Sequence, residues 1–177
     1  LGDSMANVLT HAGWDVEREF YVNDAGVQMD IFATSVSARY LELCGIEVEF
    51  PENGYRGAYI TEIAREILED EGRKWVDAAA EVRESYFKEK AYAQVLEHLE
   101  EVLSGMGVEF DVWFSERTLH VRDESGTTAI ERGIDRLRTA GYIFELDGAV
   151  WFRSTDFGDD KDRVLIKADG DYTYFAA

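Results

Sequence analysis

Apolar residues recur at helical spacing from the first residues of the chain. Met5, Val8, Leu9 and Ala12 lie on one stripe, and Gly13 stops it, so a helix is predicted from the start to about residue 12. Val16, Phe20 and Val22 then alternate with polar neighbours and predict a strand that runs into the turn Asn23-Asp24-Ala25-Gly26. Residues 27–44 read as a helix with Ile31, Ser35, Ala38 and Leu41 facing inward. The stretch 45–58 holds the only proline, Pro51, with Gly45, Gly54 and Gly57, and reads as a loop or boundary. Two amphipathic helices follow. Ile60, Ile63, Ala64, Ile67 and Leu68 mark one buried face, and Tyr92, Val95, Leu96, Leu99, Val102 and Leu103 mark the other, closed by Gly105 and Gly107.

From residue 108 the period changes. Val108 to Phe114 predicts a strand, and Thr128-x-x-Glu131 is a capping box that opens a helix through Ile130, Ile134 and Leu137 to Gly141. Tyr142–Leu146 and Ala149–Arg153 flank Asp147-Gly148, a two-residue hairpin signal. Arg163–Lys167 and Tyr172–Phe175 flank Ala168–Asp171, a second hairpin. This order suggests an α/β core interrupted by a mainly helical insertion. The chain does not start with Met, its first residues are already helical, and its last follow a strand directly. Both ends are therefore expected to be internal to a longer protein.

Composition narrows the class. A length of 177 residues with 46% hydrophobic residues can bury a core without staples. The single cysteine, Cys44, excludes an internal disulfide, makes a reducing cytoplasmic setting the default, and fits a small core residue better than a nucleophile. No apolar run approaches a membrane span. The net charge of −19 argues against broad binding of polyanions by this chain alone.

The residues offer little chemistry by themselves. His11, His98 and His120 lie far apart and away from Cys44, and neither a phosphate-binding loop nor a nucleophile elbow is present. The acidic run Asp156 to Asp162 is spaced unlike a calcium loop and fits a solvated hairpin connection. Glu116 ends the aromatic-rich strand Phe110–Phe114, where α/β folds place ligand groups, and could take a guanidinium through two parallel hydrogen bonds. A surface glutamate at a strand terminus is the plain alternative.

Longer blocks resemble one family. Leu1 to Leu9 is similar to the helix after the HxGH signature of class I aminoacyl-tRNA synthetases. Arg18 to Gln28 resembles the REYYINDAGNQ segment of bacterial arginyl-tRNA synthetases, Pro51–Gly57 their PExGYxG, and Phe110–Glu116 their FDVWxSE. Trp151–Thr155 with Phe157–Lys167 matches WFRSTxFGDDKDRVLIK, and Asp169–Tyr174 matches DGxYTY. The blocks run in the family's order over nearly the whole chain.

The resemblance implies a partial Rossmann-type, nucleotidyl-transferase-like catalytic domain. Residues 1–46 would be the first part of the core, 47–107 a helical connective insertion, and 108–177 the return to the core with a strand, a helix and two hairpins. It implies arginine, ATP with Mg2+, and tRNA-Arg as substrates of the longer parent. Glu116 would pair with the guanidinium of arginine and Tyr174 would line its pocket. Asn23, Asp24 and Gly26 would have a local structural role or a role at the substrate end. No residue is assigned to the chemical step, because HxGH and the KMSK-type loop are not among the 177 residues, so the chain by itself is expected to be inactive and to hold no bound cofactor or metal. The alternative is a non-catalytic tRNA- or protein-binding module derived from a synthetase. Without the first core strand, self-association through an unpaired sheet edge is a further expectation.

Overall fold

The computed structural model describes residues 1–176. The chain divides into two compact units, Leu1–Phe20 with Asp24–Val112, and Tyr21–Asn23 with Trp113–Ala177. Helices and small strand groups alternate, in keeping with the expected α/β class.

In the first unit, α1 (Gly2–His11), α2 (Val27–Leu43), α3 (Ala58–Glu71) and α4 (Ala80–Gly105) carry most of the residues. Helix α2 is the centre. Phe32, Val36, Tyr40 and Leu41 join Ile60, Ile63, Ala64 and Ile67 of α3 and Phe87 and Ala91 of α4 in one core, with Cys44 buried beside them. Small residues on α2, Ala33, Ser35, Ser37 and Ala38, are buried too and let its neighbours approach from more than one side. The expected inward set on α2 was Ile31, Ser35, Ala38 and Leu41. Ser35, Ala38 and Leu41 are buried as expected, Ile31 is only half-buried, and Phe32, Val36 and Tyr40 are buried as well. A helix covered on several sides shows no single stripe, which is why its inner face is hard to read from spacing.

Tyr40 ties this core to the turn after α3. Its hydroxyl donates to Gly72 O at 2.7 Å and accepts from Trp75 N at 3.3 Å, and its ring meets Phe87 edge-on at 4.9 Å. Burial pushes the hydroxyl above the usual tyrosine range, so it stays a neutral donor. Arg83 does the same for the end of that turn. It is 7% exposed, and Nε donates to Ser37 Oγ at 2.8 Å while Nη1 reaches Trp75 O and Ala78 O at 3.3 and 3.1 Å.

Two expected apolar faces are covered less than predicted, that of α1 not at all and that of α4 in part, with Tyr92, Leu96, Leu99 and Leu103 half-buried. Helix α1 forms as predicted but buries none of its residues, and Met5 and Val8 are exposed. On α4 the buried positions are Arg83, Phe87 and Ala91, at the N-terminal end, whereas Val95 and Val102 of the predicted stripe are exposed. The strands are also shorter than predicted. β1 is Glu19–Val22 and β2 is Val112–Ser115, and the two pair in a two-stranded sheet. The missing length is used in loop bonds. Asp111 N and Val112 N both donate to Arg18 O, Arg18 N donates to Asp111 Oδ2 at 2.7 Å, and Val108 N caps α4 at Leu103 O.

In the second unit, α5 (Ala129–Thr139) opens with the predicted capping box. Glu131 N donates to Thr128 Oγ1 at 3.1 Å and Thr128 N donates to Glu131 Oε2 at 2.8 Å. β3 (Ile143–Leu146) and β4 (Ala149–Phe152) form the predicted hairpin, with register Leu146 to Ala149 and Ile143 to Phe152. Asp147 and Gly148 take φ of 52° and 77°, the left-handed pair that a two-residue turn requires. β5 (Arg163–Ile166) pairs antiparallel with β4 and completes the sheet. The second predicted hairpin is reduced to one bridge, Ile166 to Tyr172. Residues 174–176 turn instead of extending, because Thr173 turns both its N–H and its hydroxyl back to β5, at Leu165 O (2.9 Å) and Val164 O (2.6 Å). Ile130, Ile134 and Leu165 are the core between α5 and this sheet.

Candidate functional site

The residues singled out by sequence fall in different settings. Glu116 follows β2 directly and opens a single 3-10 turn, Glu116–His120, whose Thr118 hydroxyl anchors it to Ser115 O at 2.7 Å. Its carboxylate side chain is 13% exposed, although Glu is a residue that usually stands in water. The His120 imidazole stands beside it, four residues on: His120 Nε2 is 3.8 Å from Glu116 Oε1. The His120 ring is tilted against Tyr172, with centroids 6.3 Å apart. Tyr172 is fixed in turn by its bridge to Ile166. A carboxylate with little exposure thus stands at a strand end beside the His120 imidazole, the kind of group that can take a planar donor pair.

Tyr174 lies in the same unit, in the turn that follows, and is 88% exposed. The structure does not bury it against a pocket wall. Asn23 is exposed at the end of β1. Asp24 is 2% exposed and accepts from the Tyr92 hydroxyl at 2.9 Å, which joins the β1 exit to α4. Gly26, with φ of 76° and ψ of −172°, makes the turn into α2. A side chain would be strained at that φ.

The acidic run after β4 is closed on itself. Arg163 donates from Nε and Nη2 to the two oxygens of Asp159, at 2.7 and 2.5 Å, and from Nη2 to Asp160 at 2.8 Å. Asp162 accepts from Thr155 N and Oγ1, and Ser154 Oγ donates to Lys161 O. The run is a hairpin connection, as expected, but its acids are held by bonds rather than merely solvated. The guanidinium of Arg163 holds the Asp159 carboxyl far below the usual range. Among the described residues, no group of three or more His, Cys, Asp or Glu side chains is placed to hold a metal ion, and no helix is long and apolar enough to cross a membrane.

Sequence reading missed His120 as the neighbour of Glu116, and Tyr172 behind His120. The available signal was the spacing of four between Glu116 and His120, which puts both on one side of a helical turn.

A family model described as the catalytic domain of class I tRNA synthetases for arginine matches residues 1–177. The chain belongs to the arginyl-tRNA synthetase family. The arginine–tRNA ligase of Oceanobacillus iheyensis is 49% identical over 174 residues, which are 98% of this chain and 30% of that protein. That of Bacillus subtilis is 47% identical over 174 residues, again 98% and 30%. An arginyl-tRNA synthetase structure from Campylobacter jejuni superposes with a TM-score of 0.80 at 28% identity, over 99% of this chain and 37% of that one. The Thermus thermophilus arginyl-tRNA synthetase shares the fold, with a TM-score of 0.58 at 19% identity over 99% of this chain and 30% of that one. The chain thus spans about 30% of the length of the curated synthetases it matches.

Proposed function

We propose that these residues form the arginine-recognising part of a catalytic domain that activates arginine with ATP and transfers it to tRNA-Arg. The observation that carries the reading is the Glu116 carboxylate, 13% exposed at the end of β2. Buried from water, it gains most by pairing with a cation, and a guanidinium matches its two oxygens. Tyr174 is proposed to cover the arginine side chain, for which its exposed ring is available. Asn23, Asp24 and Gly26 are proposed to have a local role in shaping the β1 exit. The proposed division is a first core part over 1–46, a connective insertion over 47–107 and a return to the core over 108–177.

In the proposed reaction the arginine carboxylate attacks the α-phosphate of ATP, accompanied by Mg2+, and pyrophosphate leaves. A tRNA ribose hydroxyl then attacks the adenylate carbonyl and AMP leaves. Glu116 touches neither reacting centre; it anchors the far end of the substrate so that the carboxylate is placed for attack. Charge stabilisation at the phosphates would come from HxGH and KMSK-type groups, which are not among the 177 residues. The 177-residue polypeptide alone is therefore expected to show no arginine-dependent ATP–pyrophosphate exchange. Its net charge of −19 supports catalytic-domain identity over a free-standing tRNA-binding module. The proposed setting is the cytoplasm, and self-association through an open strand edge is proposed for the isolated polypeptide, read by light scattering.

The deciding experiment places Glu116→Gln in the full-length synthetase that carries these residues. Removing one partner of a buried charge pair costs ~3–5 kcal/mol. A value near the low end suits a side chain that keeps 13% exposure, so kcat/KM for arginine should fall roughly 100-fold with the ATP KM little changed. An unchanged arginine KM and kcat/KM would remove Glu116 from the site.

A further inference from the structure

Helices α3 and α4 both pack on α2, and between them runs a groove of 790 Å³. Tyr59, Ile63 and Val95 supply its apolar surface, and Tyr59 and Val95 are exposed although they are large and hydrophobic. Both helices give it acidic lining, Glu62 and Glu66 from α3 and Glu97 and Glu101 from α4; His98 also lines it, and no Lys or Arg does. The lysines of α4 do not neutralise them, because Lys88 is engaged by Asp30 at 2.7 Å and Lys90 by Asp70 at 3.3 Å. From Ala91 to Gly107 the sequence contains no basic residue except His98. Gln94, also in the lining, donates from Nε2 to Glu66 at 2.9 Å and leaves Oε1 buried without a hydrogen-bond partner.

We infer that this groove is a docking site for a lysine- or arginine-rich amphipathic helix of a partner protein. A groove lined by two helices that carry apolar residues accepts a third helix along its i, i+3, i+4, i+7 stripe. The glutamates on both walls would pair with cations flanking that stripe, fixing its register and excluding wrong partners. The same charges repel nucleic acid, and they repel a second copy of this chain, whose net charge is −19. Exposed apolar residues along the second half of α4 and just past its end, Val95, Val102 and Met106, extend the surface beyond the groove itself.

The probe is a fluorescein-labelled amphipathic peptide with a leucine stripe flanked by lysines, and binding to the full chain is read by fluorescence anisotropy at physiological salt. A second peptide keeps the leucines and replaces the lysines by glutamates. Two charge-matched variants are compared, one with Glu62, Glu66, Glu97 and Glu101 all changed to Gln, the other with the exposed Glu17, Glu52, Glu124 and Glu145 changed to Gln. The lysine peptide should bind, the glutamate peptide should not, and the groove variant should lose about tenfold in affinity while the control variant loses less than about twofold. Hydrogen–deuterium exchange should slow over residues 94–101 when the lysine peptide is bound, and melting curves confirm that both variants fold. Equal losses in the two variants, equal binding of the two peptides, or no binding would overturn the proposal. So would a concentration-dependent dimer abolished in the groove variant, which would assign the face to a second copy.

Discussion

Replacing Arg83 by Met asks how much of the helical unit's stability depends on a single buried cation. Arg83 is 7% exposed and donates to Ser37 Oγ, Trp75 O and Ala78 O. Methionine fills a similar volume but donates nothing, so three acceptors around α2 and the α3–α4 turn lose their donor. Hydrogen bonds to charged groups contribute ~1.5–3 kcal/mol each, and an abandoned buried acceptor costs ~1–3 kcal/mol. Against this, the guanidinium no longer has to leave water on folding, which offsets part of the loss. A net destabilisation of about 3 kcal/mol is expected. For a chain of this size that corresponds to a fall of about 6–12 °C in the transition of the helical unit. Urea denaturation followed by far-UV circular dichroism measures it directly. Ser37→Ala removes one of the three bonds and should cost about 1 kcal/mol. The double variant should be less destabilised than the two singles together, by about 1 kcal/mol, because the bond between them can be lost only once. A neutral or stabilising Arg83→Met, or strict additivity with Ser37→Ala, would refute the assignment of Arg83 as the staple of that turn.

Two further outcomes are open to measurement. Thr128→Ala should destabilise by about 1 kcal/mol through loss of the bond from Glu131 N to the Thr128 hydroxyl, with Thr128→Ser restoring most of it, as read by urea denaturation of the second unit. An equally destabilised serine variant would mean that the methyl group, not the cap, matters. Asp159 is depressed from its ordinary value of 3.8, so its pairing with Arg163 stabilises the fold above about pH 4 and is lost as pH falls toward the folded value. Calorimetry from pH 6 to pH 2 should show the melting gap between the native chain and Arg163→Gln narrow steadily below about pH 4, and a constant gap would count against the pairing.

Local signals proved the most legible. The capping box at Thr128 and the Asp147-Gly148 turn depend on residues within a few positions of each other, and both appear as read. Long-range cover was not legible. The apolar spacing of α1 and of the second half of α4 is real, but spacing says that a face seeks cover, not where the cover is. On α2, cover from several sides erased the stripe altogether. The site shows the same division. Glu116 was visible from its position after an aromatic strand, whereas its low exposure and its contact with His120 belong to the folded turn. Tyr174 was named from resemblance alone, and its exposed position in a turn could not be foreseen from a pattern that predicted a strand.

The clasp between Arg18 and Asp111 has a consequence for the order in which the chain assembles. It joins residues 93 apart in sequence. Closing a flexible loop of that length costs about 4 kcal/mol in chain entropy alone. The intervening helices, however, form their core entirely among neighbours in sequence, from α2 to α4. Once they have folded, Arg18 and Asp111 are no longer separated by a random coil but by a packed helical core. The clasp then closes a short gap instead of a long one. Helices α2 to α4 can therefore stand between β1 and β2 with little delay to strand pairing, provided that they fold first.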